Sequence, residues 1–161
     1  MNRFLVITDS VTSLRVRTGP GTEFPQVDSL PVESVVTSLE NREIPRTGSS
    51  PGVSWGFTGF EVWHRIGTNR WVNELIHINN NNANITRNMV PFTLVHKQGR
   101  INAGTNIRRG PGLGFNGAVN RAQRNITMTH SVPSLSGICT LGSGSWFRIG
   151  RYEWVHSSVV V

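Results

Sequence analysis

The chain has few cysteines, few lysines and no long apolar run. Cys139 is the only cysteine among 161 residues, which excludes an intrachain disulfide and a metal cluster built from cysteines. No apolar run approaches the roughly 20 residues that a membrane-spanning helix requires, so we expect no transmembrane segment. The apolar segment 4–7 is too short for the core of a secretory signal peptide, and we interpret it as a first β-strand.

Charged and apolar residues are both scarce, at 16% and 37% of the chain. Both values lie below those of an average globular protein. Gly, Asn, Ser and Thr fill the difference, and these residues form turns and loops. The composition disfavours long helices and coiled coils, and no segment has the periodicity of an amphipathic helix. It predicts many short strands joined by many turns.

Positive charge dominates among the charged residues. Sixteen Lys and Arg against nine Asp and Glu give a formal net charge of +7, and Lys97 is the only lysine. A basic surface of this kind suits an anionic partner, such as nucleic acid, an anionic cell-wall polymer or an acidic protein face. Solubility alone is an equally good explanation of the charge, and both interpretations stay open at this point.

Two blocks of sequence occur twice, in the same order. Segment 14–24 returns 91 positions later as segment 105–115, and segment 63–72 returns in part 83 positions later, from Trp146 onward. The repeated residues are Val16 with Ile107, Arg17 with Arg108, Gly19-Pro20-Gly21 with Gly110-Pro111-Gly112, Phe24 with Phe115, Trp63 with Trp146, Ile66 with Ile149 and Trp71 with Trp154. We interpret the chain as a tandem duplication.

The duplication predicts a first domain at residues 1–78, a linker at 79–90 and a second domain at 91–161. The linker prediction rests on the Asn-rich, low-complexity stretch 79–84, for which a surface loop within one fused domain is the alternative. The first copy is longer because segment 46–54, which consists almost entirely of turn formers, enlarges its middle loop.

Local patterns predict strands and hairpins. The segments around Trp63 and Trp146 alternate between apolar and polar residues. Four-residue connections then lead into Trp71 and Trp154, which is typical of a hairpin. The two Gly-Pro-Gly corners fit tight turns, because Pro fixes φ and Gly tolerates positive φ.

These residues resemble the bacterial SH3-like (SH3b) domain family. The family pattern opens with a strand of the form Val-Arg-Ser-Gly-Pro-Ser and closes with two tryptophans that flank a turn. The opening occurs here at 14–21 and 106–112. The closing tryptophans are Trp63 and Trp71 in the first copy and Trp146 and Trp154 in the second. The chain departs from the family at Arg70 and Glu153, where the family usually has Gly.

The resemblance covers nearly the whole chain and implies an all-β fold of two tandem small SH3-like barrels joined by the Asn-rich linker. Family members commonly bind peptidoglycan peptides or cross-bridges and stand beside a wall-cutting enzyme. The two repeats use up this chain, so we expect no catalytic activity. The resemblance implies a ligand in a shallow groove between loops, lined by aromatic and Arg side chains.

Aromatic and Arg residues are therefore the candidates for ligand binding. The predicted binding residues are Arg17, Phe24, Trp55, Phe57, Phe60, Arg108, Arg109, Phe115, Arg148 and Tyr152, with Arg151 close by in sequence. The aromatics in 55–60 belong to a Gly-rich stretch that only the first copy has, and we interpret this stretch as either a contact surface or a lid. The predicted core residues are Val16, Trp63, Ile66, Trp71, Ile107, Trp146, Ile149 and Trp154.

Motifs for catalysis or cofactor binding are weak. Segment 112–117 matches G-x-G-x-x-G, but that motif binds a nucleotide only where a helix follows directly. Cys139 could act as a nucleophile with His130 or His156 as its base, yet its surroundings indicate a small core residue in a strand. The histidines lack the spacing of metal ligands. We expect no enzyme activity, no cofactor and no metal site.

The sequence predicts a non-catalytic binding module for bacterial cell-wall ligands of the peptidoglycan type. Since such modules act outside the cell and we see no signal peptide, a second interpretation is a structural or assembly component of a phage particle or injection machine. The expected location is extracytoplasmic, either cell-wall-associated or virion-associated, without membrane insertion. A third interpretation is nucleic-acid binding through the basic face.

Overall fold

The described part of the chain folds into β-structure, which confirms the all-β prediction. The structure is a computed structural model that describes residues 2–7, 13–48, 57–80, 82–134 and 144–161. These residues form three antiparallel sheets and contain no α-helix, although a 3-10 turn covers Ser157–Val159. The chain divides into two compact units, residues 1–90 and residues 91–161.

The first unit contains a three-stranded sheet and a larger sheet. Its strands are β1 (Asn2–Val6), β2 (Ser13–Arg17), β3 (Gln26–Pro31), β4 (Val35–Ser38), β5 (Glu40–Gly48), β6 (Phe57–Gly67), β7 (Arg70–Asn80), β8 (Asn82–Arg87) and β9 (Met89–Pro91). The small sheet has the order β4-β1-β9. The larger sheet has the order β3-β2-β7-β6-β5, and β8 also pairs with β7.

The core of the first unit follows the alternation of its strands. In β2, Leu14 and Val16 are buried while Arg15 between them is exposed, because successive side chains of a strand point to opposite faces. The buried cluster consists of Phe4, Val6, Leu14, Val16, Val36, Val72 and Met89, with Leu30 and Ile66 packed against it. Burial of each large aliphatic side chain contributes about 1.5–3 kcal/mol.

The second unit contains one six-stranded sheet in its described residues. Its strands are β10 (Thr93–Ile101), β11 (Asn106–Arg108), β12 (Gly117–Val119), β13 (Arg124–Pro133), β14 (Ser145–Gly150) and β15 (Glu153–His156). The sheet order is β10-β13-β14-β15-β11-β12. The core cluster consists of Ile101, Ile126, Met128 and Val155, with Val95, Ile107, Phe147, Ile149 and Val160 packed against it.

The two units share a sheet order. The path β3-β2-β7-β6-β5 of the first unit has the same order as β12-β11-β15-β14-β13 of the second. In both units a late segment also returns to the first strand: β9 neighbours β1, and Val160 bridges to Ile101 in β10. The repeated sequence blocks therefore occupy equivalent strands in the two sheets.

The four repeated tryptophans lie in the interior of their units. The exposed fractions are 2% for Trp63, 6% for Trp71, 2% for Trp146 and 0% for Trp154. Each pair flanks a hairpin, β6–β7 or β14–β15, whose turn is closed by the pair Gly67–Arg70 or Gly150–Glu153. The large indole rings supply much of the apolar area that units of this size need.

The segment 79–90 differs from the free linker that its composition suggests. Residues Asn82–Arg87 form β8, which pairs with β7, and Met89–Pro91 form β9 in the small sheet. Met89 and Val90 are fully buried. Asn residues end β7 and begin β8, and the apolar residues that follow return to the core. The segment therefore belongs to the sheets of the first unit.

The enlarged middle of the first copy is also partly strand. Arg46 lies in β5, which extends to Gly48, and β6 begins at Phe57. The paired strands extend the sheet well beyond the tryptophan hairpin, because residues 43–48 find partners in 57–62. The rest of the predicted loop, 49–54, lies outside the described residues, as do Trp55 and Cys139.

Candidate binding site

A strand end and a hairpin turn meet at the same place in each unit. Arg17, at the end of β2, pairs with Trp71 at the start of β7. Arg108, at the end of β11, pairs with Trp154 in β15. This pairing brings the loop that follows Arg17 or Arg108 next to the turn of the tryptophan hairpin. The candidate site lies at this junction in the second unit.

Arg17 and Arg108, both predicted to bind ligand, donate hydrogen bonds within their own loops. Arg17 Nη1 donates to the carbonyl oxygen of Phe24 at 2.9 Å. Arg108 Nη1 donates to the carbonyl oxygens of Phe115 at 3.1 Å and Leu113 at 3.2 Å. The two guanidinium groups thus hold the Gly-Pro-Gly loops in the same way, which gives both arginines a structural task.

The rings of Phe24 and Phe115 cover the glycines of these loops. A Cβ atom at Gly19 would overlap the ring of Phe24, and one at Gly110 would overlap the ring of Phe115. Both rings are half-buried. The repeated Gly and Phe therefore form one packing unit, which explains why they recur together in the sequence.

Tyr152 and two arginines form a cluster on the second unit. The guanidinium carbon of Arg151 lies 5.2 Å from the centroid of the Tyr152 ring, and that of Arg109 lies 5.5 Å from it. Cation–π contacts of this length are worth about 0.5–1 kcal/mol each at an exposed site. Both arginines are exposed while Tyr152 is half-buried. We call these three residues the Arg-Tyr cluster.

The backbone of Tyr152 is left-handed, with φ at 55°. Gly and Asn adopt this conformation readily, whereas it costs other residues about 1–2 kcal/mol. The hairpin turn imposes this conformation, and such strain persists where the surrounding structure holds it. Here it puts an aromatic ring on the turn, within reach of both guanidinium groups.

Glu153, which follows the cluster, is paired with Arg124. The two guanidinium nitrogens of Arg124 donate to the two carboxylate oxygens at 3.0 and 3.1 Å. These hydrogen bonds lower the pKa of Glu153 and raise the pKa of Arg124, in each case more than burial opposes the shift. None of the ion pairs among the described residues involves Arg109 or Arg151.

The first unit has the same turn without the cluster. Asn69 has φ at 51°, close to the value for Tyr152, so the backbone follows the same course in both copies. The corresponding residues are Thr18 for Arg109, Thr68 for Arg151 and Asn69 for Tyr152. The first unit therefore lacks both guanidinium groups and the ring at this junction.

The remaining predicted binding residues lie in other surroundings. Arg148 lies in β14 opposite Trp154 in the register and is half-buried. Phe60 lies in β6, and its ring centroid is 4.8 Å from that of His77. Phe57 begins β6, but its side chain lies outside the description, as does all of Trp55. Of the ten predicted residues, the cluster brings together Arg109 and Tyr152, with the adjacent Arg151.

A buried polar network in the first unit has no counterpart in the sequence predictions. Ser38 Oγ lies 2.6 Å from His64 Nδ1, and His64 Nε2 lies 2.6 Å from Glu74 Oε1. The residue types are those of a hydrolase triad, but the two ring nitrogens are exchanged, because a triad places Ser on Nε2 and the carboxylate on Nδ1. Ser38 is also only 8% exposed. The network joins β4, β6 and β7, and its members are too far apart in sequence to form a motif.

The described residues also lack two other kinds of feature. They hold no group of three or more His, Cys, Asp or Glu side chains arranged to bind a metal ion. No helix in the described ranges has the length and apolar character that crossing a bilayer requires. Comparison of the chain with protein-family models, with curated proteins and with solved structures found no match.

Proposed function

We propose that the protein is a non-catalytic binding protein, built from two tandem SH3-like barrels, that recognises bacterial cell-wall ligands of the peptidoglycan type. Three observations support the barrels: the resemblance of the repeated blocks to the SH3b family, the shared order of five strands, and the return of a late segment to the first strand in each unit. The Arg-Tyr cluster is the observation that supports binding.

The cluster suits a carboxylate or phosphate group on a ligand. A guanidinium group offers a planar set of donors that matches such anions, and two guanidinium groups held by one ring reach an anion with little loss of side-chain freedom. Peptide stems of the wall carry carboxylates of this kind. The neighbouring carboxylate of Glu153 is held by Arg124, so it competes little for Arg109 and Arg151.

The test is retention of the full chain on purified cell walls. We expect the double variant Arg109→Thr/Arg151→Thr, which installs the residues of the first unit, to bind at least about tenfold more weakly, since each lost charge-assisted hydrogen bond is worth about 1.5–3 kcal/mol. The control Arg15→Thr/Arg42→Thr removes two exposed cations of the first unit and should bind as the wild type does.

Three results would count against this function. Absence of the wild-type protein from the wall pellet at moderate salt would exclude it. Equal retention of the cluster variant would place the ligand elsewhere on the protein. An equal loss in the control variant would mean that overall charge, and not the cluster, accounts for binding.

A role as an assembly component is the second candidate, because outer strands expose apolar side chains. Val27 on β3 is 51% exposed, and Leu94 on β10 and Val119 on β12 are each 58% exposed. These three strands stand at the ends of their sheets, and an edge strand accepts a further strand. On β10 the end that holds Ile101 already pairs with the residues around Val160. Analytical ultracentrifugation should then show an average molecular mass that rises with protein concentration, and Val27→Lys/Val119→Lys should abolish the rise. A monomer at every concentration would exclude the role.

A further inference from the structure

The entire net charge of the protein, +7, lies on its second unit. Residues 1–90 contain eight Arg and eight Asp or Glu, which give a net charge of zero. Residues 91–161 contain seven Arg, one Lys and a single Glu, which give +7. Two units with the same sheet order thus differ completely in charge, so the fold does not require the basic residues. A charge needed for solubility would have no reason to avoid one unit.

The second unit offers one carboxylate for eight cations, and Arg124 already binds it. Glu153 accepts both hydrogen bonds from that guanidinium group, at 3.0 and 3.1 Å. Five of the other cations are exposed: Arg109 and Arg151 lie together in the Arg-Tyr cluster, whereas Lys97, Arg100 and Arg121 lie outside it. A ligand with one charge needs only the Arg-Tyr cluster, whereas cations spread over several strands and turns suit a ligand that carries charge along its length.

We propose that the second unit binds a linear phosphodiester polymer of the cell wall. Arg109 and Arg151 together bind one phosphate of the polymer, and further cations bind the phosphates that follow. This inference rests on the proposed function as a cell-wall binding protein, and it assigns the Arg-Tyr cluster a phosphodiester in place of a peptide-stem carboxylate. Guanidinium groups make two-pronged contacts to phosphate as well as to carboxylate, and arginine supplies seven of the eight cations.

The aromatic rings of the second unit favour a polymer without bases. Proteins that bind single-stranded nucleic acid add aromatic rings on which bases stack. Here the ring of Tyr152 already carries two guanidinium groups. The ring of Phe115 covers Gly110, and the Lys97 ammonium lies 5.7 Å from the Phe147 ring centroid. These three rings hold cations or pack on the backbone, which favours contacts to phosphates over stacking on bases.

The experiment compares the full chain on intact walls and on walls treated with cold hydrofluoric acid, which cleaves phosphodiesters and leaves peptidoglycan. We expect retention on treated walls to fall at least about tenfold, because the phosphate contacts supply most of the affinity. The variant Arg109→Thr/Arg151→Thr should be retained equally on intact and treated walls. The variant Arg15→Thr/Arg42→Thr should bind intact walls more tightly than treated walls, as the wild type does. A parallel titration uses single-stranded and duplex DNA as the phosphodiester with bases.

Salt gives an independent readout on intact walls. If Arg109 and Arg151 together hold one phosphate and one further cation holds the next, a fourfold rise in salt should weaken binding roughly sevenfold, at a slope of about −0.7 per phosphate. The double variant, with one contact left, should lose only about threefold over the same range. A wild-type response as flat as that of the variant would overturn the inference.

The outcomes separate this inference from the proposed function. Equal retention on intact and treated walls would overturn the phosphodiester ligand while leaving a peptidoglycan ligand in place. No retention on either material would remove the proposed function and the inference together. Binding to either form of DNA as tightly as to the intact wall would overturn the inference in favour of a nucleic-acid ligand.

Discussion

Replacing Tyr152 by Asn tests whether the ring serves binding or the fold. Asn is the residue of the first unit at this turn, where it has φ at 51° against 55° for Tyr152. The change removes two cation–π contacts worth about 0.5–1 kcal/mol each. It also relieves a left-handed backbone strain of about 1–2 kcal/mol, since Asn tolerates this conformation. The two effects oppose each other and are similar in size.

We therefore expect Tyr152→Asn to change the free energy of unfolding by less than about 1 kcal/mol, or the melting temperature by less than about 4 °C. Wall binding should nevertheless fall severalfold, because Arg109 and Arg151 lose the ring that orders them. Thermal unfolding and a binding isotherm on the same preparation measure both quantities. A loss of about 3 kcal/mol or more, as for truncation of a buried aromatic side chain, would refute the reasoning, as would unchanged binding.

Three further predictions concern stability. Gly117→Ala should destabilise the protein by about 1–3 kcal/mol in chemical denaturation, because its Cβ would overlap the backbone carbonyl of Ile107. Gly67→Ala should cost less, because its Cβ would meet the flexible side chain of Arg70, and equal effects would contradict this. Trp154→Ala should cost about 3–5 kcal/mol, and a small loss would remove it from the core. Arg124 lowers the pKa of Glu153 below its ordinary 4.5, so this pair stabilises the folded protein above that pH by about 0.5–1 kcal/mol at a half-exposed site, and the contribution should disappear on acidification past the lowered pKa. Glu153→Gln should remove that part of the pH dependence of stability, and an unchanged acid profile would contradict the assignment.

The repeat made the strand content and the buried tryptophans predictable. Blocks that recur in order must occupy equivalent places, and Trp63 and Trp146 do so at 2% exposure each. The Asn-rich segment was less predictable, because a polar composition describes a linker and the tip of a hairpin equally well. Pairing with β7 decides between them, and that contact depends on the extension of β6 and β7, which has no counterpart among the described residues of the second copy.

The candidate site was predictable only in part. Adjacent arginines and aromatics pointed to Arg109 and Tyr152, but the same rule selected Arg17 and Arg108, whose guanidinium groups bind loop carbonyls. Their backbone partners are not visible in residue types. The pairing of Arg124 with Glu153 joins two strands that are 29 positions apart in sequence, so only the sheet order reveals it.

The most direct test of the account is to map the contact surface by amide NMR while a soluble phosphodiester-bearing wall fragment is added to the full chain. We expect the largest chemical-shift changes at the amides of Arg109, Arg151 and Tyr152. The amide signals of Thr68 and Asn69, at the matching turn of the first unit, should not move. Shifts at both turns alike, or only outside residues 91–161, would contradict it.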